Sequence, residues 1–334
     1  MLKSAFIPGF LIVAAVLSAE THVVASSIYH HTFSSTHPVL KRVRAGDTVV
    51  TRTLDAGGQD QTGARPSEPS NPLTGPFFVE GAEPGDALVV HIRRLRMNRN
   101  SGWSNFRLGL FSLTADSIEG IYPRGYKKDL VRPGSDSYVP WDIDLARGVV
   151  RLREPVSRRT RMEFAAQPML GCIGVAAPGE SAPTSAISGP YGGNMDYNRI
   201  GEGATLMLPV YHPGGLLFIG DGHALQADGE PTGTGVETSM DVEFTVQVRK
   251  QARLAGPRLE TADHLISIGS QPEFASALDR ALQMATTDMT RWLAREYDME
   301  PWAAHLLIGV EGEYDVVTVA GSMALRIPKS ALPK

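Results

Sequence analysis

The 334-residue sequence holds a single cysteine, Cys172, so no intrachain disulfide can staple the fold and stability has to come from packing. Charge of one sign is scarce as well. Lys and Arg total 32 against 36 Asp and Glu, a formal net charge of -4, and no chain-wide field favours a polyanion, because nucleic-acid binding rests on clustered cations. The local exception is Arg93, Arg94, Arg96, Arg99 and Arg107, with Trp103 and Phe106 interleaved. That pattern outlines a single-strand-binding patch, but a solvated loop is the usual fate of such a run, so no nucleic-acid partner is expected. Long apolar runs are also missing. A spanning helix needs about 20 apolar residues, whereas the stretch from Ala5 to Leu17 is broken by Pro8 and Gly9 and followed by Glu20, Thr21 and His22. With Lys3 before it and the small residues Val23-Val24-Ala25 after it, residues 1–25 read as a signal peptide. The expected location is therefore periplasmic or secreted, with no stable membrane span after cleavage and an uncleaved anchor as the alternative.

Hydrophobic residues make up 42% and charged residues 20%, which excludes a disordered chain, and the high counts of 34 Gly and 23 Pro favour short strands linked by many turns. Gly46-Asp47 precedes Thr48-Val49-Val50-Thr51, and Gly85-Asp86 precedes Ala87-Leu88-Val89-Val90, both as strand punctuation. Between them, Gly57 to Gly75 lacks any apolar period and is expected to be a mobile lid or a disordered spacer. Residues 97–160 read as an excursion or small subdomain of the single domain 26–334. Val242, Phe244, Val246 and Val248 alternate with polar residues, the period of a half-buried strand. Helical spacing comes late. Ser270-Gln271-Pro272-Glu273 fits a capping box, and Phe274, Leu278, Ala281, Leu282, Ala285, Met289 and Leu293 predict an amphipathic helix to about Tyr297. A second helix is expected over Met299–Leu307, closed by Gly309, before strand-like Val316 to Ile327.

The strongest chemical signal is Leu216-Leu217-Phe218-Ile219-Gly220-Asp221-Gly222-His223, a buried strand that ends in a glycine and polar groups. An extended backbone through Gly222 sets Asp221 and His223 on one side, and Asp228 and Glu230 repeat that spacing with oxygen ligands suited to Zn2+. The plain alternative is that Asp and Gly merely build turns. Upstream, Gly192-Gly193-Asn194-Met195-Asp196 permits close backbone approach and presents Asp196, with backbone amides that could serve an oxyanion, though a simple turn explains it too. Glu237 is either a general base or the polar side of a strand. Cys172 has apolar neighbours and reads as an inert buried thiol rather than a nucleophile. His30, His31 and His37 read as surface or packing histidines, with a contribution to a distant metal site as the alternative.

Taken together, these motifs resemble the acetamidase/formamidase family. The resemblance rests on Pro38-Val39-Leu40, Gly46-Asp47-Thr48-Val49, Asp55, Asn71-Pro72-Leu73-Thr74-Gly75-Pro76 and Val79-Glu80-Gly81-Ala82-Glu83-Pro84-Gly85-Asp86. It continues through Pro168-Met169-Leu170-Gly171, Ile173-Gly174-Val175-Ala176 and Gly192-Gly193-Asn194-Met195-Asp196 to Gly220-Asp221-Gly222-His223-Ala224, Asp228-Gly229-Glu230 and Glu237. The sequence departs from the pattern at Ala227, where glycine is usual. The resemblance implies a jelly-roll-like β-sandwich core with an α+β part and a homodimer or higher homo-oligomer. It also implies a polar cleft holding Asp196, Asp221, His223 and Glu230. The implied activity is hydrolysis of a small carboxamide to carboxylate and ammonia by a metal-activated water. Asp221, His223 and Glu230 are then expected to hold a divalent metal, Zn2+ by ligand type, with Asp196 or Glu237 shuttling the proton. Asn71, or Gly192, Gly193 and Asn194, would orient the carbonyl. The rival readings are an exported β-sandwich solute-binding protein without catalysis and promiscuous ester cleavage by the same water.

Overall fold

A computed structural model describes residues 19–105, 112–114, 116–117, 139–153, 159–271 and 277–333. The turn-rich sequence resolves there into short strands: β1 (Thr21–Val23), β2 (Lys41–Val43), β3 (Thr48–Thr53), β4 (Leu73–Val79), β5 (Ala87–Met97), β6 (Ser101–Ser104) and β7 (Val139–Asp144). Next come β8 (Val149–Leu152), β9 (Glu163–Ala165), β10 (Met169–Val175), β11 (Ser188–Gly189), β12 (Gly192–Asn194), β13 (Thr205–Pro209) and β14 (Leu217–Leu225). The last are β15 (Val236–Glu237), β16 (Met240–Arg249), β17 (Arg258–Glu260), β18 (His264–Gly269), helices α1 (Leu278–Glu296) and α2 (Pro301–Glu311), and the hairpin β19 (Glu313–Thr318) and β20 (Ser322–Pro328).

Nine strands form one sheet in the order β1-β3-β16-β5-β13-β17-β18-β20-β19. The second sheet runs β11-β12-β10-β14-β15-β6-β7-β8-β9, and β4 also pairs with β14 and carries β2 on its far side. Val49, Val90 and Phe244 of the first sheet share one core with Phe77, Ile173 and Phe218 of the second. Alternation does the sorting: Leu88 and Val90 of β5 enter this core, while Ala87 joins Met207, Leu265 and Ile327 beneath α1 and α2. The fold is therefore a mainly β sandwich with a helical layer on one outer face, in keeping with the expected β-sandwich plus late helix. Strand β16 has the period-two burial read from its sequence, with Val242, Phe244 and Val246 inside. Strands β10 and β14 sit inside the second sheet and are covered on both faces, which explains their nearly continuous apolar sequences.

Several expectations are corrected. Gly57 to Gly75 is an anchored loop running into β4, not a spacer. Asp55 accepts hydrogen bonds from Arg99 Nη2 at 2.6 Å, Trp103 Nε1 at 3.0 Å and the Gln59 amide at 2.8 Å. Arg99 thus leaves the supposed basic patch for the interior, Arg96 pairs with Glu202 and Arg93 with Glu243, while Phe106 and Arg107 lie outside the described residues. The described part of 97–160 continues the second sheet. Its strands β6, β7 and β8 extend the second sheet, where Trp141, Ile143 and Val150 form a small core with Val236.

Helix α1 starts at Leu278 behind Ala277, whose φ is 77° and which makes no side-chain cap; Pro272, Glu273 and Phe274 lie outside the described residues. Helix α2 runs through Gly309 to Glu311 and is closed by Gly312 instead. A mid-helix glycine costs about 1 kcal/mol relative to alanine, and burial of Ala304 and Ile308 against the sheet offsets it. Of the expected signal segment, residues 1–18 lie outside the described residues. Thr21–Val23 instead form β1, parallel to β3, with His22 Nε2 2.9 Å from Asp47 Oδ2, so a boundary after Ala25 would remove a strand.

Candidate active site

The site grows from the end of β14. Its apolar residues Leu217 to Ile219 are clamped between β10 and β4, and at Asp221 the backbone turns left-handed, with φ 56°. The β10–β14 ladder pairs Leu170 with Gly222 and Cys172 with Gly220, and skips the Gly171–Asp221 pair between them. Asp221 and His223 do meet, but through this left-handed residue and not through the simple extended strand that the sequence suggested. A Cβ on Gly171 would lie 2.5 Å from Asp196 Oδ1 and 2.6 Å from Asp221 Oδ2, so the absent side chain is what lets two carboxylates share the space. On the other side of β14, β15 pairs Glu237 directly with His223.

Strand β12 delivers the third wall. Gly192 and Gly193, at φ 87° and 100°, pack so tightly that a Cβ on either would come within 2.5 and 2.7 Å of a backbone carbonyl oxygen. Both pair with β10 and β11, which carries Asn194 beside Cys172 and Asp196 into the site. Glu230 enters from the loop after β14, where Gly229 bridges to Thr318 at the end of β19.

His223 Nε2 lies 3.1 Å from Glu237 Oε2, 3.4 Å from Asp221 Oδ1 and 3.9 Å from Asp196 Oδ1. All four of these atoms are buried and none has a hydrogen-bond partner among the described residues. Ligand atoms of Asp196, Asp221 and His223 lie within 4.8 Å of one another, as do those of His223, Glu230 and Glu237. Their outer atoms are held from behind. Asn71 Nδ2 donates to Asp221 Oδ2 at 3.1 Å and to Asn194 Oδ1 at 2.9 Å, and Asn194 Nδ2 donates to Asp196 Oδ2 at 2.5 Å.

Four acids around one imidazole form an electrostatic conflict, since among the described residues no Lys or Arg is ion-paired with any of them. Burial, reinforced by the Asp221 charge, pushes the Asp196 carboxyl up to about 7. Burial likewise lifts Glu237 to about 8, against the pull of His223, and lifts Glu230 well above the usual carboxylate range. Burial alone would lower the His223 pKa, but the Glu237 and Asp221 charges outweigh it and raise it. The set fits a divalent cation: one imidazole nitrogen and several carboxylate oxygens, aimed at common space and short of positive charge.

Of the expected residues, Asp196 and Asp221 group on one side of His223, with Asn71 and Asn194 bonded to them, and Glu230 and Glu237 group with His223 on the other. Asp228 joins neither group. It is exposed and accepts a hydrogen bond from Asn198 Nδ2 at 2.7 Å, because the left-handed Gly229 and Glu230 abolish the alternation assumed from spacing. Gly192 and Gly193 serve the strand ladder behind the cluster. Cys172 is buried, and burial together with the Asp221 and Asp196 charges raises its thiol pKa, consistent with an inert thiol. His30 and His37 stack with ring centroids 3.9 Å apart beside Phe218, and His31 contacts the Ser70 carbonyl oxygen, so none of the three joins the cluster. Sequence reasoning missed Gly171 and Gln226. Nothing separates Gly171 from other strand glycines without its neighbours, and Gln226 is signalled only by its place three residues after His223.

The fold and the cluster define a β-sandwich protein with a buried acid and imidazole centre. Residues 160–281 match the Acetamidase/Formamidase family, so the chain is related to that family by sequence as well as by fold. An acetamidase from Yersinia enterocolitica superposes with a TM-score of 0.77 at 27% identity, covering 96% of this chain and 96% of that one. A formamidase of Methylophilus methylotrophus is 26% identical over 246 residues, which is 62% of this chain and 60% of that protein. An acetamidase of Mycolicibacterium smegmatis is 28% identical over 201 residues, 48% of this chain and 49% of that protein. The sequence alignments thus span 60% and 49% of those two relatives' own lengths, less than two thirds of either.

Proposed function

We propose that this chain hydrolyses small carboxamides of the formamide and acetamide kind to carboxylate and ammonia. The observation that carries the reading is the convergence of unpartnered atoms from Asp196, Asp221, His223 and Glu237 in a chain similar to acetamidases over nearly its whole length. An amide resists hydrolysis because its carbonyl is weakly electrophilic and its amine leaves poorly, so water must be activated, the oxyanion stabilised and the nitrogen protonated. Asp221, His223 and Glu230 would hold a divalent ion, Zn2+ by donor type, which when bound supplies Lewis acidity and brings the pKa of water toward about 7.

The remaining tasks fall to the chain itself. Asp196 and Glu237, pushed up to about 7 and about 8, are in the range suited to taking a proton from water and returning it to the departing nitrogen. Asn71 and Asn194, whose side-chain amides hold Asp221 and Asp196, would orient the carbonyl through the carboxylates they position. Because the cluster is buried, short acyl groups are the expected substrates.

The test is ammonia release from formamide and acetamide, with chelator and with Zn2+ restored. Activity is expected to fall with chelator and return with the ion, and His223→Ala is expected to abolish it while the fold persists. Amide binding without ammonia release would instead indicate a solute-binding protein, and faster cleavage of the matching esters would indicate an esterase.

Export and self-association belong to the same reading. The apolar run from Ala5 to Leu17 supports export, and the docking of β1 favours cleavage before Glu20; N-terminal sequencing of exported protein checks this. Trp302, Leu306 and Val310, 67%, 60% and 70% exposed at one-turn spacing on α2, support pairing with a second copy.

A further inference from the structure

Gln226 is buried and bridges two parts of the site that are distant in sequence. Its Nε2 donates to the backbone carbonyl oxygen of Asp196 at 2.5 Å, and its Oε1 lies 2.6 Å from His223 Nδ1. The first contact fixes the orientation of the amide. A carbonyl oxygen can only accept, so turning the amide over would set two oxygens against each other and two donors, or an unfilled pair, at the imidazole. With Oε1 facing Nδ1, the imidazole has to carry its proton on Nδ1.

We infer that Gln226 is a positioning residue that selects the Nδ1–H tautomer of His223, and so turns the Nε2 lone pair into the space shared with Asp196, Asp221 and Glu237. This rests on the metal-centre reading above. The geometry leaves little freedom. Among the described residues Nε2 has no hydrogen-bond partner of its own, while Nδ1 is enclosed between Gln226 and Gly235, where an added Cβ would lie 2.8 Å from Nδ1. Ligating imidazoles depend on such a partner on the second nitrogen to set tautomer and ring orientation. The same amide also ties the Asp196 backbone to the end of β14, so the imidazole and that carboxylate are held as one unit.

Two measurements test the inference, and the first needs no variant. Protein labelled with 15N in histidine is recorded at a pH above the imidazolium range, metal-free and with Zn2+, and His223 is assigned by comparison with His223→Gln. The expected result is a proton on Nδ1 in both states; a proton on Nε2 in the metal-free protein overturns the inference. Second, Zn2+ affinity is measured by competition with a chromophoric chelator for Gln226→Met and Gln226→Glu. Loss of the partner in Gln226→Met is expected to weaken Zn2+ binding by about 10- to 100-fold, whereas Gln226→Glu keeps an acceptor for Nδ1 but loses the donor to the Asp196 carbonyl oxygen, and is expected to retain the tautomer. Wild-type affinity and tautomer in folded Gln226→Met would refute it. If wild type itself binds no Zn2+, the metal reading fails, and the tautomer of His223 in wild type and Gln226→Met still decides the role of Gln226.

Discussion

At the scale of the residue, the chemistry depends on side chains that are absent as much as on those present. Gly171 makes room for two carboxylates, and Gly171→Ala would drive a methyl to within 2.5 Å of Asp196 Oδ1. Forced overpacking of this kind costs about 1–3 kcal/mol, so thermal melts should show a destabilised protein and chelator competition a weaker Zn2+ site. Proton occupancy gives a second prediction. The folded chain raises Asp196 to about 7 and Glu237 to about 8, and raises Glu230 and His223 as well, so between about pH 4 and pH 8 the metal-free native state holds more protons than the unfolded one. Stability then falls as pH rises through that window, because the slope follows the protons bound by the unfolded state minus those bound by the native state. Metal-free protein is expected to melt lower at pH 8 than at pH 6. Zn2+ should reverse the order, since binding displaces those protons and tightens with pH. Equal melting temperatures in the metal-free protein would remove the electrostatic conflict from the account.

Elements bring these residues to one place. The acids and imidazole come from β14, β15 and the segments after β12 and β14, and each supply line is a backbone ladder or bridge with its own anchor. The loop that carries Asn71 is anchored by the Arg99–Asp55 pair at 2.6 Å, with Asp55 fully enclosed. Removing one partner of a buried pair strands the other charge and costs about 3–5 kcal/mol. Urea denaturation of Arg99→Met should register that loss, and amide turnover should fall with it as Asn71 is released from Asp221. A neutral effect would mean that Trp103 and the Gln59 amide hold Asp55 unaided. Element boundaries were read less well than element types. Alternation marked β16 and helical spacing marked α1, whereas Gly309 misplaced the end of α2, because packing against the sheet outweighs a penalty of about 1 kcal/mol.

The whole molecule is a sandwich with its helices on one outer face and the acid cluster inside the other sheet. On the helical side, the stripe Trp302, Leu306 and Val310 faces outward, and Leu306→Glu is expected to convert a self-associated protein to a monomer by light scattering while leaving the melting temperature close to wild type. An unchanged mass would place any interface elsewhere. The β-rich class, the amphipathic helix and the residue types of the site were legible in the sequence, because side-chain period and ligand chemistry are local properties. The family-like motifs also named the acids that cluster around His223. What sequence could not fix was their meeting. Asp196, Asp221, Glu230 and Asn71 all take left-handed backbone conformations, so no alternation rule predicts where they point, and Asp228 was misjudged for that reason. The size of the gap left by Gly171, the buried pairing of Arg99 and the grip of Gln226 on His223 are relations between strands far apart in the chain. Local composition sets which groups are available; only the closing of two sheets on each other decides which of them are stripped of water and left facing a common point.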